Sequence, residues 1–255
     1  MSSALDYERI AHLYDSYLQF TDDLPFFRQQ CQSGAVLELM CGTGRISIPL
    51  LEAGVNLTCT DASPAMLAIF QDKLMARGLS APIVQADVTD LDWQLVFDLV
   101  LLPFQSFHEL CTEVEQRKAL AGIAQALKPN GHFICTLHNP KVRLQAIGKA
   151  VSHYGPFPRV DGIGFVSLSV DLNYDPATET VRGWQTVYEL DAVEHPIAEH
   201  RLAVQFRLIT LEDFQTLLES SGFLIEEVFG NYDYSLFAPE TSPYMIISAR
   251  KIKTF

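Results

Sequence analysis

Val36-Leu37-Glu38-Leu39-Met40-Cys41-Gly42-Thr43-Gly44-Arg45 is the stretch whose reading sets the fold. Ala35 to Leu39 is a short apolar run of strand type, Cys41 to Gly44 is a glycine turn, and a helical pattern follows from Arg45 to Ala53. A strand, a tight turn and a helix start make a place where backbone can come close to a ligand. The glycines allow that approach and any positive φ it needs, and the helix start offers free N–H groups. A dinucleotide fingerprint would need a third glycine where Ser47 stands. A phosphate loop would need Lys and Ser or Thr after Gly44, where Arg45 and Ile46 stand. Glu38 would also add like charge beside a pyrophosphate.

Outward from this turn the pattern repeats. Asn56 to Thr60 is a second strand ending at Asp61, and Ser63-Pro64 reads as N-cap and first helical residue of a helix running to Arg77. Pro82 to Ala86 is a third strand, ending at Asp87, and Phe97 to Leu101 is an apolar run suited to a strand covered on both faces. Thr112 and Glu115 form a capping box for a helix ending near Leu127. Lys128-Pro129-Asn130-Gly131 reads as a turn before a fifth strand, His132 to Leu137. Strands alternating with helices imply a parallel sheet. Asp61 and Asp87 then stand at carboxyl ends of strands, beside the crevice where open α/β sheets bind ligands, and a carboxylate there can accept two ribose hydroxyls. With the glycine turn, they predict an adenosine pocket.

Upstream, Tyr7, Ile10, Tyr14 and Tyr17 or Leu18 give a helix over residues 7–20, and a second helical stretch follows Pro25. Downstream of Asn139-Pro140 the period changes to two. Gly164 to Tyr174, Thr180 to Leu190 and His200 to Ile209 read as an inserted antiparallel sheet, with Asp175-Pro176-Ala177 as a turn. Thr210 and Asp213 then open a helix closed by Gly222, and strands near Phe223 to Phe229 and Tyr244 to Arg250 end the chain. The expected organisation is residues 1–33 as an N-terminal helical lid and 34–140 as the α/β core. Residues 141–209 form the β insertion, and 210–255 complete the core.

Glu38-Leu39-Met40-Cys41-Gly42-Thr43-Gly44 resembles motif I of the class I S-adenosylmethionine-dependent methyltransferases. Asp61, Ala86-Asp87-Val88, Phe97-Asp98-Leu99-Val100 and Leu127-Lys128-Pro129-Asn130-Gly131-His132 resemble its later motifs in order and spacing. The likeness covers residues 35–138, and is nearest to the small-molecule branch. It implies a Rossmann-like α/β fold: a mostly parallel seven-stranded sheet, an antiparallel β insertion after strand five, and N-terminal helices. It implies S-adenosyl-L-methionine as cofactor. Glu38 and the backbone of Cys41 and Gly42, in the turn closed by Gly44, would face the methionine moiety. Asp61 would hold the ribose, with Ala62 and Met66 near the adenine, while Asp87 and Val88 would meet the adenine edge. Leu102 and Pro103 backbone would meet the ammonium group, and Tyr14 would cover the methionine end. Met40 departs from the small residue usual in the family; it either narrows the site or packs beneath the turn.

Methyl transfer is an in-line displacement at a sulfonium carbon, so a protein mainly orients the reactants and excludes water. A general base is required only when the nucleophile starts protonated. His108 is a candidate proton acceptor, or else a helix-start histidine bonded to backbone. Asn139 would bind substrate or cap its turn, and Tyr174 is the likelier pocket aromatic of the insertion. The same cofactor also serves other chemistry on this fold. One alternative is cyclisation to azetidine-2-carboxylate with release of methylthioadenosine; another is aminocarboxypropyl transfer, and a third is cofactor binding without catalysis.

The net charge of −13 argues against nucleic acid or an anionic membrane as partner, since phosphate contacts need clustered Lys and Arg. A small organic or cationic substrate suits the acidic charge and the aromatics. The inserted sheet is expected either to cover the pocket or to make a homodimer contact. No apolar run reaches the ~18 residues of a membrane helix, and the N-terminus lacks the plan of a secretory signal. None of the five cysteines pairs at C-x-x-C spacing, so neither a disulfide framework nor a metal site is expected, and the setting is cytoplasmic.

Overall fold

The computed structural model describes residues 7–252. The expectation about a secretory leader falls mostly on residues 1–6, outside the described residues. After a short 3-10 turn come α1 (Ala11–Tyr17), α2 (Leu24–Gln30), β1 (Ala35–Leu39), α3 (Ser47–Glu52), β2 (Asn56–Asp61), α4 (Pro64–Arg77) and β3 (Ile83–Gln85). Then follow β4 (Phe97–Leu102), α5 (Glu113–Ala126), β5 (Leu127–His138) and α6 (Pro140–Arg143). The inserted strands are β6 (Ser152–Pro158), β7 (Phe165–Asp175), β8 (Thr180–Leu190) and β9 (Pro196–Arg207), and α7 (Leu211–Ser220), β10 (Phe223–Phe229) and β11 (Tyr244–Lys251) close the chain.

The first sheet has seven strands in the order β10-β11-β5-β4-β1-β2-β3, with β11 antiparallel to both neighbours and the other pairs parallel. Both faces are covered, which is why β1 and β4, apart from Glu38 and Asp98, are apolar rather than alternating. One face packs Phe26 and Phe27 of α2 with Leu50 and Phe70. The other packs Leu120 and Ile123 of α5 with Phe214 and Leu218 of α7. The order reverses at β1, whose neighbours are β2 and β4. A crevice therefore opens at their carboxyl ends.

Caps place the helices where the sequence puts them. Ser63 Oγ accepts from Met66 N at 3.3 Å, and Thr112 and Glu115 bond reciprocally at the start of α5. Four details differ from the sequence reading. The expected helix over 7–20 is a 3-10 turn plus the seven residues of α1. The helix expected from Arg45 starts at Ser47, because Gly44 to Ile46 still belong to the turn. Lys128 to Gly131 lie within the bounds of β5 but out of register, since Phe97 pairs with Leu127 and Leu99 with His132. The inserted sheet has a fourth strand, β6, at its edge, in the order β6-β7-β8-β9. Gly155, Pro156 and Pro158 mask β6 in the sequence, and an edge position tolerates prolines.

The inserted sheet does not stand alone. Ile10 and Leu13 of the N-terminal helical segment pack against Val166, Leu168, Val187 and Leu202. Among the described residues no helix is long and apolar enough to cross a membrane.

Candidate active site

Beyond β1 the chain turns through Met40, Gly42 and Gly44, at φ of 54°, 56° and 82°. Cys41 N–H donates to the Thr60 carbonyl at 2.9 Å, so the ladder with β2 continues one step into the turn. A Cβ on Gly44 would lie 2.2 Å from the Phe70 ring, so nothing larger than hydrogen fits there. Gly42 differs: a Cβ there would meet nothing within 4 Å and would stand in open space.

That space is a cavity of about 730 Å³. Asp61, at the end of β2, lies on its wall. One carboxylate oxygen accepts from Gly42 N–H at 2.8 Å and the other from Ser63 N–H at 2.9 Å. Burial raises its pKa from the ordinary value, and these backbone donors oppose the rise. Ala62, Ser63 and Met66 continue the wall, followed by Asp87 and Val88 beyond β3. Asp87 accepts from Thr89 N–H and Oγ1 at 2.8 Å each. Met40 lines the cavity and also packs on the core beneath.

Tyr14 lines the cavity from α1, with its ring edge-on to Tyr7 at 5.8 Å and to Tyr17 at 5.5 Å. Burial drives its hydroxyl pKa upward, with Glu109 the next contributor, so it stays protonated. Polar clamps hold the N-terminal segment in place. Asp15 accepts from Thr43 Oγ1 at 2.5 Å and from Lys73 Nζ at 2.7 Å. Arg45 grips both oxygens of the buried Asp23 at 2.8 and 2.7 Å, donates to the Phe20 carbonyl, and lies 4.7 Å over the Phe104 ring.

Several candidates stand behind the wall. Glu38, 1% exposed, accepts from Ser47 Oγ at 2.6 Å, and burial pushes its pKa up to about 7. Cys41, Gly44, Leu102 and Pro103 are buried, and none is a wall residue. The residues that reach the cavity after β4 are Phe104 and Gln105, both left-handed at φ of 56° and 61°. Two adjacent non-glycine residues in that region cost roughly 1–3 kcal/mol each, a strain typical of ligand-binding turns.

Of the three catalytic candidates, His108 and Asn139 take the backbone-bonded alternatives, and Tyr174 lies off the cavity wall. His108 lines the cavity, but both ring nitrogens are occupied: Nδ1 lies 2.6 Å from the Arg207 carbonyl and Nε2 accepts from His138 N–H at 2.9 Å. That pattern fixes the Nδ1–H tautomer. Burial lowers the pKa to about 4, leaving a poor proton acceptor. Asn139 caps α6, accepting from Lys141 N–H, and donates to the Pro239 and Ser242 carbonyls at 2.9 and 2.8 Å. It is 3% exposed and away from the cavity. Tyr174 packs with Ile147, Val181, Leu208 and Phe206 and is not a wall residue of the cavity.

The wall also holds residues the sequence reading passed over. His138 stacks on His108, with centroids 5.6 Å apart and planes 10° from parallel. Glu109, Cys111 and Glu115 come from the segment after β4, and Ala203 to Phe206 come from β9. A side chamber of about 60 Å³ adjoins the cavity and shares Tyr7, Glu109 and Phe206 with it. His138 was findable, because it ends a strand at the same edge as Asp61. The β9 residues were not, because a period of two does not say which end of the core an inserted sheet meets.

Residues 36–131 match the family model described as a methyltransferase domain. The chain is 26% identical over 216 residues to the cypemycin N-terminal methyltransferase of a Streptomyces species, covering 85% of this chain and 83% of that one. It is 38% identical over 130 residues to a glycine/sarcosine N-methyltransferase of Parasynechococcus marenigrum, over 49% of this chain and 46% of the relative. In fold it is similar to an S-adenosylmethionine-dependent methyltransferase from Clostridium acetobutylicum. The TM-score is 0.82, with 18% identity, 97% of this chain and 99% of that chain covered. The glycine turn after β1, the acid after β2, the sheet order with its antiparallel β11, and these likenesses agree: residues 36–131 form a methyltransferase domain, and the chain has the fold of S-adenosylmethionine-dependent methyltransferases.

Proposed function

We propose that the chain methylates the nitrogen of a small-molecule amine. The observation that carries this reading is the charge of the cavity. Among the described residues lining it are four carboxylates, Asp61, Asp87, Glu109 and Glu115, and no Lys or Arg. Such a wall concentrates cations and disfavours acceptors of net negative charge, such as phosphate esters or phenolates. Glu109 beside Tyr7 and Phe206 suits an ammonium group, which carboxylates and aromatic faces both attract. The relatives named as N-methyltransferases support the same reading.

The residues present fit the cofactor. The open space over Gly42 and the carboxylate of Asp61 suit a nucleoside, and 730 Å³ falls within the usual range for small-molecule sites. Asp61 would accept from the ribose hydroxyls. Ala62 and Met66 would flank the adenine, with Asp87 and the Val88 backbone at its edge. The backbone of Phe104 and Gln105, which reaches the cavity after β4, would meet the amino acid end, with Glu38, Cys41, Gly44, Leu102 and Pro103 buried beneath. Tyr14 would cover that end and exclude water. When bound, the cofactor supplies a methyl group on a positively charged sulfur. The chain's share is then to hold an amine with its lone pair free and to keep the site dry.

The test is incubation with S-adenosylmethionine and sarcosine, an alanyl peptide or glucosamine, with catechol as an oxygen comparator. N-methyl product and S-adenosylhomocysteine in equal amounts are expected. Methylthioadenosine formed without any acceptor would favour cyclisation and overturn the reading, as would transfer to catechol alone. Sedimentation of the purified chain tests the homodimer expected through the inserted sheet.

A further inference from the structure

We propose that His138 accepts the hydrogen bond of the acceptor's N–H and so orients its lone pair, and that His108 is the positioning residue that holds it. The inference deepens the amine reading above and rests on it.

The geometry singles out His138 among the polar groups of the wall. It is the last residue of β5, pinned by pairing with Tyr244 on β11. Its own backbone N–H is fixed by His108 Nε2 at 2.9 Å, and His108 is anchored in turn by the Arg207 carbonyl of β9. The two rings stack almost in parallel, and the Phe206 ring stands 6.3 Å from His138. The ring plane is therefore set by contacts from two elements, the segment after β4 and β9. No hydrogen bond to a protein group is described for the His138 ring, although the ring sits in the cavity wall. The four carboxylates of the wall attract an ammonium group and stabilise its charged form. A neutral imidazole differs: it accepts one N–H without adding charge beside a sulfonium. Burial, then His108 and Arg143, keep His138 well below the usual imidazole range, so it enters the reaction uncharged.

The experiment compares wild type, H138F and H138Q on whichever acceptor the wild type turns over, with S-adenosylhomocysteine affinity measured by calorimetry. Phenylalanine preserves the stack and removes the acceptor; glutamine restores an acceptor oxygen. Expected results are folded variants that bind S-adenosylhomocysteine within about threefold of wild type. For H138F, kcat should fall by about 100-fold with little change in acceptor KM, and H138Q should recover about tenfold of that loss. Three results overturn the proposal: H138F within about threefold of wild-type kcat, H138F and H138Q equally impaired, or loss of cofactor-product affinity in parallel with activity. A wild type that methylates only catechol sinks the nitrogen reading by itself, and the same two variants still decide whether His138 receives the O–H. A wild type that turns over nothing sinks both.

Discussion

Glu38 is a carboxyl group in a place that disfavours its charge. The folded chain holds its proton to about pH 7, whereas an exposed glutamate releases it near 4.5. Between those values the folded state binds more protons than the unfolded state, so stability falls as pH rises. The loss is complete above pH 7 and amounts to roughly 3 kcal/mol. Glu38→Gln, which has nothing to titrate, should melt at a nearly constant temperature from pH 5 to 8 while the wild type declines. Gly44→Ala meets both a left-handed φ and the Phe70 ring, and should cost about 1–3 kcal/mol in denaturant titrations. Asp61→Asn keeps one acceptor oxygen and loses the charge; S-adenosylhomocysteine affinity should drop by about tenfold or more in calorimetry. These positions were legible because strand ends and glycine turns announce themselves. The roles of His108 and His138 were not, since they depend on which ring nitrogen meets the Arg207 carbonyl, a contact 99 residues away in sequence.

At the scale of elements, the N-terminal helices owe their position to polar clamps as well as to apolar packing. Asp23 is fully buried against Arg45, so removing it strands a guanidinium. Asp23→Ala should cost about 3–5 kcal/mol. Amide exchange should accelerate across residues 11–30 first, because α1 and α2 are short and cannot persist undocked. The caps at Ser63, Thr112 and Thr210 made α4, α5 and α7 readable to within a residue or two. The limits of α1 were less readable, as the helical spacing of apolar residues continues past the point where the backbone leaves the helix at Leu18. The edge strand β6 carries prolines that any sequence rule counts against a strand.

Across the whole molecule, the cavity is a meeting of three bodies of sequence: the core's strand ends, the N-terminal segment and β9 of the insertion. The parallel core could be inferred from alternation alone, whereas the docking of the inserted sheet depends on packing between residues 10–13 and 166–202. The N-terminal segment has a double attachment. Ile10 and Leu13 are packed into the inserted sheet, while Asp15 is bonded to the motif turn and α4. If spent nucleoside leaves on that side, both attachments must slacken together, and turnover is then tied to a concerted movement through solvent. Adding sucrose should therefore slow steady-state turnover in proportion to viscosity, and rapid quenching should capture an initial burst of methylated product equal to the enzyme present. A flat viscosity profile without a burst would place the slow event at the methyl group instead.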